Sequence, residues 1–151
     1  MLAIGRDVPQ KGFDVLHAAV RGWSDVTVEI AGGANPVGDV PERLATAAVL
    51  VAPSRWEGFG LVAVEGLAVG VPVVASDVPA LREVIGEAGL LVVPGDVVGL
   101  RAAIERVLDD SALAQRLSEA GPIRAQAFSQ VAMREAYDAL YEGVLAEKPP
   151  R

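Results

Sequence analysis

The feature that most constrains this chain is the alternation of short apolar runs with longer segments of helical periodicity. Residues 48–52 (AVLVA) and 71–75 (VPVVA) contain no polar side chain. A strand with one face in water alternates apolar and polar residues; a strand covered on both faces reads as a continuous apolar run. Residues 2–5, 25–31 and 89–93 add three further strands. Between them, helical spacing appears over residues 11–21 (Phe13, Leu16, Ala19, Val20), 42–46, 60–69 and 79–85. Asp96 caps a helix bearing Leu100, Ala103, Ile104, Val107 and Leu108, and residues 111–120 continue helically. Ser129 caps a last helix with Met133, Tyr137, Leu140, Tyr141, Val144 and Leu145 on one face. Strands alternating with helices predict an α/β fold, a parallel sheet with helices on both faces. Residues 1–146 form one domain, residues 147–151 a flexible polar tail, and residues 32–40 the one notable loop.

In such sheets ligands bind beyond the carboxyl ends of the strands. Residues 5–12, 52–65 and 75–79 follow separate strands and are expected at one rim. The segment Pro53-Ser54-Arg55-Trp56-Glu57-Gly58-Phe59-Gly60-Leu61 runs from a buried strand through a glycine-containing turn into a helix. A helix start presents unbonded N–H groups and partial positive charge, which suits a phosphate. Gly58 and Gly60 allow close backbone approach and unusual φ values. Glu65 lies in the apolar helix LVAVEGLAV, where a carboxylate is costly unless it is hydrogen-bonded or faces a polar cleft. Arg6 and Lys11 follow the first strand and suit a diphosphate, the guanidinium as a fork and the ammonium as a point charge. Taken singly, the two glutamates also read as solvent-facing and the two cations as solvated loop residues.

In this order the elements resemble the C-terminal, donor-binding half of a GT-B glycosyltransferase of the large retaining family 4. The family's G-R-x-x-x-x-K-G matches Gly5, Arg6, Lys11 and Gly12, and its two glutamates seven residues apart match Glu57 and Glu65. Its A-x-G-x-P-V-V-A-S matches residues 68–76; its R-E-V-x-x-x-A-G and L-V-x-P-x-D match residues 82–89 and 91–96. The resemblance implies a Rossmann-like three-layer fold that transfers a hexosyl group from a nucleoside-diphosphate sugar to a hydroxyl acceptor. It implies that Arg6 and Lys11 hold the diphosphate and stabilise the departing nucleotide. The amides of Phe59, Gly60 and Leu61, in the turn with Gly58, would cradle the distal phosphate. Glu57 would bind sugar hydroxyls and Glu65 the ribose. It implies no metal and no other cofactor.

Two departures stand out. The family's N-terminal, acceptor-binding half does not occur in this sequence, so a partner half in cis or in trans is expected. The segment between Gly32 and Pro53 is short by roughly one βα unit, ~30 residues. The final helix commonly crosses to the other half, so its apolar face is expected to be partly unsatisfied. A non-catalytic nucleotide-sugar-binding or interaction module is the alternative. Arg82 and Glu83 are assigned to structure, His17 to packing or the surface, Trp23 and Trp56 to packing, Tyr137 and Tyr141 to a packed face, and Asp109 and Asp110 to a solvated helix end.

Composition excludes other classes. With no Cys and one His among 151 residues, thiolate chemistry and multi-histidine metal sites are out. A formal charge of −7 argues against nucleic acid as a partner. The first strand is not followed by G-x-G-x-x-G, and no Gly-Lys-Ser/Thr occurs, which removes the dinucleotide and P-loop readings. No apolar stretch reaches the ~20 residues of a membrane span. A cytoplasmic location is the expectation, with peripheral membrane contact left open.

Overall fold

A computed structural model describes residues 1–32 and 39–146. The tail expected at 147–151 and most of the loop expected at 32–40 lie outside the described residues. Five strands form one parallel sheet: β1 (Leu2–Ile4), β2 (Glu29–Ala31), β3 (Leu50–Ala52), β4 (Val73–Ser76) and β5 (Gly89–Val92), in the order β2-β1-β3-β4-β5. The helices are α1 (Phe13–Ala19), α2 (Val40–Thr46), α3 (Leu61–Ala68), α4 (Pro79–Ile85), α5 (Val97–Asp109), α6 (Ser111–Ala125) and α7 (Gln130–Ala146).

The two-residue period of the strands divides the core between the two faces. Leu2, Ile4, Leu50, Val73 and Ala75 join Leu44, Ala63, Leu67, Leu81 and Ile85, the residues of α2, α3 and α4. Ala3, Val49, Val51 and Val74 face the other way, onto Phe13, Leu16 and Ala19 of α1 and Leu100, Ile104 and Val107 of α5. This is the three-layer Rossmann-like architecture read from the sequence. Helix α6 runs past the sheet's flank: Leu113 and Leu117 belong to the α1/α5 side and Ala125 to the α3/α4 side.

Some boundaries differ from expectation. β2 occupies only the last three of the residues expected as strand at 25–31. Its partner is the three-residue β1, in register Leu2–Glu29 to Ile4–Ala31, so residues further back find no ladder. Helix α6 continues to Ala125 through Pro122, because Ala125 is held in the core at its far end. Asp110 is exposed, yet its side chain accepts the Leu113 N–H at 2.9 Å and caps α6. Asp96 caps α5 as expected, accepting from Gly99 N–H at 2.9 Å. Tyr137 and Tyr141 stack on each other, centroids 6.4 Å apart, but both are exposed, so they form no packed face. Helix α7 contains no buried residue at all.

Candidate functional site

The strand order reverses between β1, whose chain leaves towards β2, and β3, which starts the run to β5. That is the switch point at which the loops following two adjacent strands diverge and open a crevice. The loop after β1 carries Arg6 and Lys11, and the loop after β3 carries residues 53–60.

The two loops are fastened together. A 3-10 turn, Pro9–Lys11, precedes α1, and Gly12 follows it at φ +67°. A Cβ on Gly12 would lie 2.0 Å from the Pro53 carbonyl oxygen, so only glycine permits both the left-handed backbone and this approach. Arg55 N–H donates to Gln10 O at 2.8 Å. The Arg55 guanidinium donates to Pro9 O at 2.7 Å and to both carboxylate oxygens of Asp14, each at 2.7 Å. The guanidinium holds the Asp14 carboxyl down to about 2, well below the usual carboxylate range. A hollow of about 400 Å³ lies beside this pair, lined by Asp7, Val8, Pro9, Phe13, Asp14 and Arg55.

The fastening brings Lys11 and Glu57 into an ion pair, with both side chains four-fifths or more buried. The buried Ser54 hydroxyl donates to the same Glu57 oxygen at 3.1 Å. Glu57 therefore does not point into solvent. Its negative charge is met by an ammonium that has further N–H donors to offer.

The turn then enters α3. Gly60 sits at φ +93°, and a Cβ there would meet Leu81 Cδ2 at 2.8 Å, so the start of α3 lies against α4. Ala63 and Val64 both donate to Gly60 O, at 2.9 and 3.2 Å. The amides of Phe59, Gly60 and Leu61 donate to no backbone oxygen among the described residues. Gly58 does not adopt a positive φ, so the freedom expected of both glycines is used at Gly60 alone. Phe59 is half-exposed and meets Phe128 edge-on, centroids 5.8 Å apart.

Other predicted residues fall elsewhere. Arg6 is exposed and makes no ion pair among the described residues. Glu65 lies on the exposed stripe of α3 with Leu61, so the desolvation cost expected of it does not arise: the helix is apolar in composition but only partly buried. Trp56 is 63% exposed, not packed; its ring edge lies over Gly58. Trp23 is half-buried under the Arg101 guanidinium, 4.8 Å from the ring centroid. His17 is exposed, and Arg82 pairs with Asp77 at 2.6 Å. The sequence reading missed Ser54, Asp14 and Arg55. Ser54 was within reach as a small polar residue three before Glu57, whereas Asp14 and Arg55 are 41 residues apart and meet only through the sheet order.

The family model for glycosyl transferases group 1 matches residues 26–124. The chain is 43% identical over 132 residues to the MMP alpha-(1->4)-mannosyltransferase of Mycolicibacterium hassiacum, covering 85% of this chain and 32% of the relative. It is 30% identical over 168 residues to an uncharacterized glycosyltransferase of Methanocaldococcus jannaschii, covering 92% of this chain and 48% of that one. Since 168 aligned residues exceed the 151 of this chain, the archaeal protein has extra residues inside the matched span. Among solved structures, sucrose-phosphate synthase from Thermosynechococcus elongatus superposes with a TM-score of 0.83 at 32% identity, over 97% of this chain and 46% of the other. The chain spans less than half the length of each of these three proteins.

Proposed function

Because this chain belongs to the glycosyl transferases group 1 family, we propose that it is the donor-binding domain of a retaining, family 4 enzyme that moves a hexosyl group from a nucleoside-diphosphate sugar to a hydroxyl acceptor. The observation that carries this reading is the Lys11–Glu57 pair at the switch point, beside three backbone amides at the start of α3 that meet no backbone acceptor among the described residues. Lys11, with donors beyond the one given to Glu57, and the exposed Arg6 hold the diphosphate. The amides of Phe59, Gly60 and Leu61 take the distal phosphate with the positive end of α3. As the bond to the sugar breaks, charge grows on the leaving diphosphate, and cations already in place stabilise it without reorganising. Glu57, oriented by Ser54, accepts from sugar hydroxyls, and Glu65 from the ribose.

In this reading cationic side chains and a helix terminus take the place of a metal, and no other cofactor is needed. The acceptor side is supplied by an N-terminal half, in cis or in trans. No described helix is long and apolar enough to cross a membrane; a cytoplasmic location, where peripheral membrane contact is still open, completes the proposal.

Calorimetry with UDP, GDP and ADP and their sugar conjugates tests it. Saturable binding of one base series is the expected result; no binding to any of them overturns the site. The short segment between β2 and β3 favours a second reading, a nucleotide-sugar-binding module without turnover, and hydrolysis or transfer by the chain alone would eliminate it.

A further inference from the structure

We propose that Arg55 and Asp14 are positioning residues for the diphosphate site, acting as a clamp that sets the distance between the loop after β1 and the loop after β3. The inference rests on the donor-binding reading above. Lys11 is bracketed along the chain by four anchor points: Pro9 and Gln10 before it, and Gly12 and Asp14, the latter in the first turn of α1, after it. Each is tied to the residues 53–55 of the other loop, by the Arg55 guanidinium, the Arg55 N–H, the Pro53 carbonyl contact and the Asp14 carboxylate respectively. Glu57 stands two residues beyond Arg55 and accepts a hydrogen bond from Ser54, the residue before Arg55. The relative position of Lys11 and Glu57 is thus set by Arg55 and its partners, none of which lies on the ligand in the reading above.

The clamp is poorly placed to serve stability. Asp14 and Arg55 are 67% and 42% exposed at their side chains, and exposed ion pairs contribute little to folding free energy. Its geometry, by contrast, is specific. A fork of two parallel N–H···O bonds with a third bond to a carbonyl fixes both direction and distance, which an ammonium cannot reproduce. Lys11 and Glu57 lie across two separate loops, and small displacements between binding groups have large effects on ligand affinity and rate.

The test is isothermal calorimetry on the full chain with whichever of UDP, GDP and ADP the wild type binds, alongside the matching monophosphate. Arg55→Ala and Asp14→Asn are each expected to weaken diphosphate binding about fivefold to tenfold, the size of coupling between neighbours in one network. The double variant is expected to lose no more than either single one, and Arg55→Lys to recover little. Monophosphate binding should fall less, because the clamp acts through Lys11. Melting temperatures should stay within about 2 °C of wild type, as for other surface substitutions. Unchanged diphosphate affinity in Arg55→Ala, additive losses in the double variant, or losses that track melting temperature would overturn the clamp while leaving the donor site standing. A wild type that binds none of the three diphosphates overturns both.

Discussion

At the scale of single residues, chemistry and geometry separate cleanly. Lys11 and Glu57 provide charge, while Gly12, Ser54 and Arg55 hold them in place. Asp14 offers a direct readout of the Arg55 fork. Its depressed pKa means that the pair's contribution is present above the usual carboxylate range and is lost as pH falls towards about 2. A side-chain NMR titration should therefore place the Asp14 midpoint below the usual carboxylate range, and Arg55→Ala should move it back up towards about 3.9. Substituting the proposed ligand contacts should act on affinity. Arg6→Ala, Lys11→Ala and Glu65→Ala are each expected to weaken nucleotide binding by roughly 1.5–3 kcal/mol, the usual contribution of a hydrogen bond to a charged group. Glu57→Ala should cost the nucleotide sugar more than the bare nucleotide; equal losses in calorimetry would contradict its assignment to the sugar. Gly12→Ala is a different case. It forces a non-glycine residue into a left-handed conformation and a Cβ onto Pro53 O, so chemical denaturation should show a loss of ~2 kcal/mol or more.

At the scale of elements, the strands and most helices were legible because burial on both sheet faces leaves a mark on every strand residue. The apolar runs of β3 and β4 are the clearest instances. Where legibility failed, the reason was tertiary. Pro122 removes a helix N–H and reads as a stop, but the burial of Ala125 keeps α6 going. Asp110 reads as a solvated end, but the next helix begins so soon that the same side chain serves as its cap. Asp110→Ala should accordingly cost about 1 kcal/mol in denaturant unfolding, a cap's usual contribution, where a merely solvated aspartate would cost nothing. In the site, the glutamate spacing and the cations after β1 were visible because they lie in short motifs. The Arg55–Asp14 clamp was invisible because no local pattern announces a contact created by strand order.

At the scale of the whole molecule, α7 is the outlier. Its seventeen residues include Met133, Tyr137, Leu140, Tyr141 and Val144 in exposed positions, and it packs chiefly at its root on the turn Gln126–Phe128. An isolated helix of this length is marginal in water, so amide hydrogen exchange in the chain alone should be orders of magnitude faster over α7 than over β3 and β4. Protection of α7 equal to that of the central strands would show that the body holds it after all. The net charge of −7 describes the surface as a whole and says little of the crevice proposed to take the diphosphate, for which Arg6, Lys11 and the start of α3 are the proposed contacts.

The order of the sheet has a further consequence. β2 is an edge strand, and the shortening relative to the family is expected between Gly32 and Pro53, the segment that joins β2 to β3. The crevice opens one strand further in, between β1 and β3. A unit added or lost outside β2 changes the width of the sheet without shifting the register of β1, β3 or β4. The architecture therefore keeps the margin where chain length can drift apart from the seam where ångströms matter, and a trimmed copy of the fold can retain its seam.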